Sequence, residues 1–339
     1  MRPILAGAAM LGAVLMVYVP HVQRATFVFE DDRSLDLVAF PGWATMLTTG
    51  RGVTRESFRH PRSPEAAHAV NVGLHLLVVL LAGVLIWLIT GTPPAGLIGA
   101  GIVALHPVTV ESVAYATSRA ELIAAVGALG SLVAVLVRVR GVWLLAPACL
   151  LLAYTGKETG LVAVALIPLV LWAAGRERRA ADACWVIGGA LAVTSALWLP
   201  HVLRLTTIGF TPRMTVDGVS WLLTQAEAVW RLVVLSVAPF WLSVAPVPTA
   251  RLVPGVAALL LLIGLIEIAW RQRHTRPLLT LGIVWCAIVA VPRFLVRTPL
   301  SPFNEHQWYF AVPGVACCWM AALEALETWW VGRRTPCPA

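Results

Sequence analysis

Four carboxylates are gathered in the segment FVFEDDRSLD, residues 27–36, directly after the first apolar run of the chain. They are Glu30, Asp31, Asp32 and Asp36. Carboxylates this close disfavour each other's ionisation, so one can accept a proton near neutral pH while a neighbour stays charged. The same cluster could instead be a solvated loop or could hold a divalent cation such as Mg²⁺ or Ca²⁺, although no ligand spacing requires a metal.

A second polar group interrupts the segment ALHPVTVESVAYATSRAELIAA, residues 104–125. Its histidine, acidic and basic members are His106, Glu111, Arg119 and Glu121. Pro107 predicts that an apolar helix ends near His106, because a residue before proline avoids the helical conformation. Glu121 follows Ser118 by three residues, which is the spacing of a capping box, so Glu121 either caps a helix or belongs to a site.

The segment YTGKETG, residues 154–160, contains the only lysine of the chain, Lys157, next to Glu158. The flanking glycines favour a tight turn between two apolar runs. The pair is therefore either the polar tip of that turn or a binding site for a phosphate.

A further polar group begins the last apolar run, in SPFNEHQWYF, residues 301–310. It consists of Glu305, His306, Trp308 and Tyr309. Tryptophan and tyrosine at a membrane boundary are usually interfacial anchors, and we predict that role for Trp308 and Tyr309. Glu305 has no comparable structural explanation.

The rest of the chain is mostly apolar. Of its 339 residues 59 % are hydrophobic and only 12 % are charged, which indicates a polytopic all-α membrane protein. A net charge of +8 would suggest nucleic acid as the partner of a soluble protein. Most arginines here lie between apolar runs, so we predict membrane lipids with phosphate groups as partners and no nucleic acid. The cysteines have no spacing typical of a metal site or a disulfide framework.

Ten apolar runs are long enough to be predicted membrane spans. They lie near residues 4–19, 68–89, 95–105 continuing into 106–112, 120–137, 141–155, 159–175, 183–199, 255–270, 277–292 and 308–325. With the N-terminus in the cytoplasm, the short arginine-rich loops remain inside. Residues 1–330 then form one membrane domain, and residues 331–339 form a short cytoplasmic tail.

Residues 221–238 are predicted to form an amphipathic helix on the outer side, lying on the surface or packed against the bundle. Gln225, Glu227 and Arg231 interrupt this run and argue against an eleventh span.

The acidic residues are concentrated on the predicted outer side. Of 17 in the chain, those on the inner side are Glu177, Asp182, Glu267, Glu324 and Glu327. Charges near a bilayer are costly unless paired or functional, so the outer ends of the helices are the predicted site. There a carboxylate could deprotonate an acceptor hydroxyl while arginine or lysine binds the phosphate of a lipid as the leaving group.

Several motifs together resemble a known family. The segments AAHAVNVGLHLLVVLL, ALHPVTVESVAYATSRAELIAA, LLAYTGKETGLVAVALIPLVL and SPFNEHQWYFAVPG follow the acidic residues in the family order. They resemble the membrane domain of the transmembrane and tetratricopeptide-repeat O-mannosyltransferases and their bacterial relatives, over residues 5–325. These proteins are GT-C glycosyltransferases that use polyprenyl-phosphate sugars.

The resemblance implies a GT-C-like bundle of about ten transmembrane helices in a bacterial inner membrane, with its active site facing outward. It implies Asp31 as the catalytic base, with Asp32 as the neighbouring candidate. The predicted substrate-binding residues are Glu30, Arg59, His106, Glu111, Arg119, Glu121, Lys157, Glu158, Glu305, His306 and Tyr309.

The predicted function is inverting transfer of a sugar, such as mannose, from a polyprenyl-phosphate carrier to a hydroxyl of a protein, lipid or glycan acceptor. Two alternatives stay open. One is a transporter of lipid-linked sugars or ions that performs no chemistry. The other is an inactive relative with a scaffolding role, because Thr109 and His306 stand where the family usually has histidine and arginine.

Overall fold

The computed structural model describes residues 2–27, 51–59, 63–137, 141–176, 218–240, 252–295 and 305–334, together with Gly188 and Leu242. Regular structure in these residues is entirely helical. The α-helices are α1 (Arg2–Gln23), α2 (Gly52–Ser57), α3 (Pro64–Thr90), α4 (Pro93–Leu105), α5 (Thr109–Ala114), α6 (Arg119–Leu136), α7 (Val142–Gly156), α8 (Val162–Ala173), α9 (Gly218–Val237), α10 (Leu252–Gln272), α11 (Pro277–Leu295) and α12 (Val312–Arg334). Three short 3-10 helices cover Ala116–Ser118, Glu158–Leu161 and Glu305–Ala311.

Five of these helical segments are long and apolar enough to cross a membrane. They are Pro64–Thr90, Ala116–Leu136, Leu252–Gln272, Pro277–Phe294 and Glu305–Trp330. Helices α1, α4, α7 and α8 overlap predicted spans, but they contribute only the shorter apolar stretches Gly7–Gln23, Pro93–Leu105, Leu144–Gly156 and Thr159–Ala173. Apart from Gly188, the predicted span 183–199 lies outside the described residues, as do residues 335–339 of the predicted tail.

Helix α3 shows how local sequence sets the ends of a long apolar helix. The Ser63 hydroxyl accepts a hydrogen bond from the backbone N–H of Ala66 at 3.2 Å, and Pro64 occupies the first turn, where no N–H is needed. The helix ends at Gly91, which has a φ of +73° and donates its N–H to the carbonyl of Trp87. Glycine adopts this left-handed conformation without steric cost.

The end of α4 confirms the prediction made from Pro107, because the helix stops at Leu105 and His106 is extended. The capping-box alternative for Glu121 is wrong. Ser118 occupies the N-cap position of α6, but its side chain makes no capping hydrogen bond. Glu121 is instead bonded to a residue distant in sequence, as described below.

Helices α6 and α7 pack backbone against backbone at Gly127. A Cβ added there would lie 2.6 Å from the carbonyl oxygen of Cys149 and would also clash with the backbone nitrogen of Ala153. Small residues permit such close approach in membrane proteins, where interhelical packing replaces the hydrophobic effect as a source of stability.

Gly127→Ala should therefore lower the free energy of unfolding by about 1 to 3 kcal/mol, as other overpacked core substitutions do. Gly73→Ala is the matched control in α3, since a Cβ there meets no atom within 4 Å. That control should be neutral or stabilising, because alanine favours helices by up to about 1 kcal/mol over glycine. Thermal unfolding of both variants in one detergent checks the prediction, and equal melting temperatures would contradict it.

Helix α9 is the predicted amphipathic helix, and it packs against the bundle. It is not among the five candidate spans of the described residues. Near its start, Leu223 lies against Gly255 near the start of α10. Farther along, Val229 and Val233 of α9 share a cavity with Leu262 and Ile266 of α10. The two helices therefore run side by side in the same direction.

Candidate functional site

The predicted catalytic residues cannot be placed by the structure. Glu30, Asp31, Asp32 and Asp36 lie outside the described residues.

One end of the bundle collects most of the remaining predicted residues. Helix α5 contacts the 3-10 helix Glu305–Ala311, and α2 contacts both α6 and α7. The 3-10 helix Glu158–Leu161 packs on the same two helices. These contacts bring together the polar segments that were separate in the sequence: they carry Glu111, Arg119, Glu121, Lys157, Glu305 and His306, with His106 at the end of α4.

Glu121 and Lys157 form a buried ion pair between α6 and the residue that follows α7. Lys157 is only 8 % exposed and Glu121 only 6 % exposed, which rules out a solvated polar tip for Lys157. Arg293 of α11 also interacts electrostatically with Glu121. The glycines on either side serve close packing, because a Cβ at Gly156 would lie 2.8 Å from the backbone nitrogen of Ala124.

Glu111 holds His306 through both of its carboxylate oxygens. The backbone N–H of His306 donates to Oε2 at 2.8 Å, and the imidazole Nδ1 lies 2.9 Å from Oε1. Ser112 adds a hydrogen bond from its hydroxyl to the carbonyl of His306 at 3.2 Å. Both side chains of the pair are mostly buried. An imidazole bonded to a carboxylate through Nδ1 keeps Nε2 for proton exchange.

Glu305 is buried beside α9. Its carboxylate lies 3.7 Å from a guanidinium nitrogen of Arg231, and Glu305 is 3 % exposed. Arg231 was one of the residues used to exclude a membrane span for residues 221–238. The structure gives this arginine a partner at the same end of the bundle as the other charged pairs.

Arg119 is fully buried and bonded to protein on every side of its guanidinium. Nε donates to Asn71 at 3.0 Å, Nη1 to the carbonyl of Ser57 at 2.6 Å and Nη2 to the carbonyl of Ala67 at 2.9 Å. The guanidinium carbon also lies 4.2 Å from the centre of the Phe58 ring. Arg119 therefore ties α2, α3 and α6 together.

Arg119→Lys should destabilise the protein by about 3 kcal/mol, because an ammonium cannot reproduce this fork and leaves buried acceptors unpaired. Arg55→Lys in the short helix α2, which Arg119 contacts, is the matched control, since Arg55 is exposed. Chemical unfolding in detergent measures both changes. An unchanged midpoint for Arg119→Lys would show that the fork contributes little to stability.

His106 is neutral and bonded through both ring nitrogens. The N–H of Val108 donates to Nδ1 at 3.3 Å, so the proton lies on Nε2, which is 3.2 Å from the carbonyl of Ser236. Burial lowers the pKa of His106, and the hydrogen bond to Ser236 opposes that shift only in part. This histidine thus links the end of α4 to the end of α9.

The prediction that Trp308 and Tyr309 are interfacial anchors is wrong, because both are buried in the bundle. The Tyr309 hydroxyl donates to Nδ1 of His75 at 2.7 Å, while Nε2 of His75 lies 3.1 Å from the carbonyl of Ala104. The indole N–H of Trp308 donates to the hydroxyl of Ser236 at 3.1 Å. The O–H of a buried tyrosine and the N–H of a buried tryptophan need hydrogen-bond partners. His75 and Ser236 supply them here in place of water.

Arg59 and Glu158 complete the set of predicted substrate-binding residues. Arg59 is largely exposed and pairs with Glu56, with 3.2 Å between their charged atoms. Glu158 begins a 3-10 helix, but its side chain is not among the described ones.

Sequence reasoning missed four polar residues at this end of the bundle. They are Asn71, His75, Ser236 and Arg293. The signal for the first two was available, because Asn71 and His75 lie four residues apart on one face of an apolar helix. Polar residues inside such a helix are costly and usually have partners or a function.

Within the described residues, no group of three or more histidine, cysteine or acidic side chains is arranged to hold a metal. The divalent cation was predicted to bind at the acidic segment 27–36. That segment lies almost wholly outside the described residues, so the cation stays a prediction.

The chain matches no model of a known protein family, no curated protein and no solved structure. Membership of the GT-C glycosyltransferases therefore rests on the sequence motifs and stays a prediction.

Proposed function

We propose that this protein is a GT-C-like glycosyltransferase of about ten membrane helices that uses a polyprenyl-phosphate sugar on the extracytoplasmic side. The observation that carries the proposal is the buried pair of Glu121 and Lys157 together with the half-buried Arg293. It combines one carboxylate with two cations at the end of the bundle where the other charged pairs lie.

The charge of this group suits a lipid phosphate. Lys157 and Arg293 are two cations that interact with the same carboxylate, and lysine and arginine are the side chains that bind phosphate oxygens, lysine as a point charge and arginine as a fork. A phosphate that becomes the leaving group gains negative charge during transfer. Lys157 and Arg293 would stabilise that charge more strongly in the transition state than in the bound substrate.

Described residues on either side of the acidic segment in the sequence bond to this end of the bundle. Nε2 of His21 lies 3.2 Å from the carbonyl of Ala114 in α5. The Thr54 hydroxyl donates to the carbonyl of Gly156, the residue before Lys157, at 2.7 Å. Asp31 follows Phe27 by four residues, which limits the distance between their Cα atoms to about 14 Å.

The proposed reaction begins with removal of a proton from the acceptor hydroxyl by Asp31. The hydroxyl oxygen attacks the anomeric carbon of the donor, and the bond from that carbon to the phosphate oxygen breaks. The phosphate leaves on the polyprenyl chain with the bonding electrons, and the configuration at the anomeric carbon inverts. His306, held by Glu111, would exchange protons with solvent or substrate through Nε2.

An apolar groove next to His106 offers a path for the carrier's hydrocarbon chain. It has a volume of about 370 Å³ and lies between α4, α12 and the end of α9. Its lining includes Ile98, Leu105 and Leu323, which are exposed on the apolar surface and would face lipid. Gly101 also lines the groove, and a Cβ there would meet no atom within 4 Å.

Gly101→Phe should fill this groove without disturbing the fold. We expect a rise of at least tenfold in the KM for a long-chain donor, equivalent to about 1.4 kcal/mol of lost binding, and a smaller change for a short-chain donor. Gly264→Phe on the exposed side of α10 is the matched control, since a Cβ there also meets open space. Equal KM values for the two variants would remove the groove from the proposal.

The proposed function is tested by incubating the purified full-length protein with a panel of polyprenyl-phosphate sugars and a mixture of membrane lipids and peptides as acceptors. Release of free polyprenyl phosphate together with a glycosylated acceptor supports it. If no donor is consumed but labelled donor crosses a proteoliposome membrane, the protein is a transporter. If the donor is neither consumed nor moved, the scaffolding alternative is favoured.

A further inference from the structure

The turn between α10 and α11 is short and basic. It consists of residues 273–276, with the sequence RHTR, and Arg271 precedes it in the last turn of α10. Both helices are candidate membrane spans, so a turn this short between them lies at a membrane surface. Glu267 is the only acidic residue of the sequence from Leu252 to Leu295. Three arginines and a histidine therefore share a single carboxylate.

Hydrogen bonds fix the backbone of this turn. The Thr275 hydroxyl donates to Oε1 of Gln272 at 2.7 Å, and the N–H of Arg276 donates to the carbonyl of Gln272 at 2.8 Å. The Thr280 hydroxyl of α11 donates to the carbonyl of Ala269 in α10 at 2.9 Å, which ties the two helices together beside the turn. The basic side chains are therefore carried on an ordered backbone.

Two of the arginines have partners close by in the sequence. Arg271 pairs with Glu267 one helical turn earlier, with 2.6 Å between their charged atoms. The guanidinium carbon of Arg273 lies 4.0 Å from the centre of the Trp270 ring, and Nη1 donates to the Trp270 carbonyl at 2.6 Å. The ring and the carbonyl position this guanidinium, and its remaining N–H groups can bind a further acceptor.

The other two basic side chains are available to a ligand. His274 and Arg276 are exposed, and within the described part of the chain no side chain bonds to either. Trp270 is 63 % exposed in the same region. Tryptophan at the end of a membrane span usually lies at the level of the lipid head groups. Basic groups and an interfacial ring therefore occur together where lipid phosphates lie.

This turn is at the opposite end of the bundle from the charged pair of Glu121 and Lys157. Arg293, near the end of α11, interacts with Glu121. The helix rises about 24 Å from Pro277 to Arg293, which is most of the thickness of a bilayer core. With the predicted orientation the turn faces the cytoplasm, and the cytoplasmic leaflet is the one that carries anionic lipids.

We infer that the turn between α10 and α11 binds the head group of an anionic phospholipid. Arg276 and the remaining N–H groups of Arg273 would donate to the phosphate oxygens, in the fork geometry that suits arginine. His274 would add a further N–H donor, and Trp270 would lie beside the glycerol backbone. The inference does not rest on the proposed glycosyl transfer, because this turn is remote from that site.

The tendency of arginines to stay on the cytoplasmic side of a membrane is the competing explanation for this cluster. The test therefore uses the delipidated full-length protein in detergent, where no bilayer sets an orientation. Native mass spectrometry and thermal unfolding compare phosphatidylglycerol with phosphatidylcholine of the same acyl chains. We expect phosphatidylglycerol to bind about tenfold more tightly, to raise the melting temperature more, and to lose this advantage as the salt concentration rises.

A third ligand separates a lipid site from a site for a soluble anion. Glycerol 3-phosphate carries a phosphate group without hydrocarbon chains. It should bind much more weakly than phosphatidylglycerol, because it gains nothing from contact with the apolar faces of the two helices.

Arg276→Gln should lower the affinity for phosphatidylglycerol about fivefold, since one arginine near an anionic membrane surface contributes about 1 kcal/mol. Adding His274→Gln should lower it further. Arg55→Gln is the matched control, because it removes one exposed arginine from α2 at the other end of the bundle and should leave the affinity unchanged. Without phosphatidylglycerol all three variants should melt at the wild-type temperature, because the replaced side chains are exposed.

Three results would overturn the inference. Equal affinities for phosphatidylglycerol and phosphatidylcholine would mean that the protein does not recognise the charge of the head group. An unchanged affinity of the double variant, or an equal loss in Arg55→Gln, would place the lipid elsewhere. Binding of glycerol 3-phosphate as tight as that of phosphatidylglycerol would make the turn a site for a soluble anion.

Discussion

Asp31→Asn should lower the rate of sugar transfer by roughly two to four orders of magnitude, because a carboxamide cannot accept the proton of the acceptor hydroxyl. Asparagine is nearly the same size as aspartate, so the fold should persist. The measurement is release of free polyprenyl phosphate, with whichever donor the wild-type protein consumes. A matching melting temperature for the variant separates loss of chemistry from loss of structure.

The neighbouring acids supply the comparison. Asp32→Asn should reduce the rate less than Asp31→Asn if Asp31 is the base, and more if the roles are reversed. Asp36→Asn is the control, because it removes the same charge from the same segment at a position with no proposed role. Full activity of both Asp31→Asn and Asp32→Asn would defeat the assignment of the base to this pair.

Glu121→Gln should be among the most destabilising single substitutions in the protein. It keeps the size of the side chain but leaves Lys157 charged, buried and without its carboxylate, and breaking a buried pair in this way costs about 3 to 5 kcal/mol. Chemical unfolding in detergent measures the loss. Sugar transfer by the folded fraction should also fall, because Lys157 loses the group that positions it.

The double variant Glu121→Gln, Lys157→Met separates structure from function. Methionine replaces the lysine stem with an apolar chain of similar shape, so much of the lost stability should return. Transfer should not return, since the proposed phosphate ligand is gone. A double variant that regains both stability and transfer would show that the buried pair has only a structural role.

Much of the helical framework could be predicted from the sequence. Apolar runs bounded by serine, proline and glycine predicted helices such as α3, and Pro107 predicted the end of α4 at Leu105. These features depend on residues within a few positions of one another, because helix formation and termination are decided by local hydrogen bonds and backbone conformation. The polar character of the segments around Glu111, Lys157 and Glu305 was equally visible.

The partners of those polar residues were not predictable in the same way. Ser118 and Glu121 had the spacing of a capping box, yet Glu121 pairs with Lys157 on another helix. Tyr309 and Trp308 had the position of interfacial anchors, yet they are buried and bonded to His75 and Ser236.

By itself, the sequence determined that this is a helical membrane protein and where its chemically capable side chains occur along the chain. Only the tertiary structure decided that Arg119 is enclosed by Asn71, Ser57 and Ala67, and that Glu121 is buried in a pair with Lys157. The physical reason is that a polar group inside an apolar bundle must find a partner across helices. Which partner it finds depends on how distant segments pack, and residue spacing carries little information about that packing.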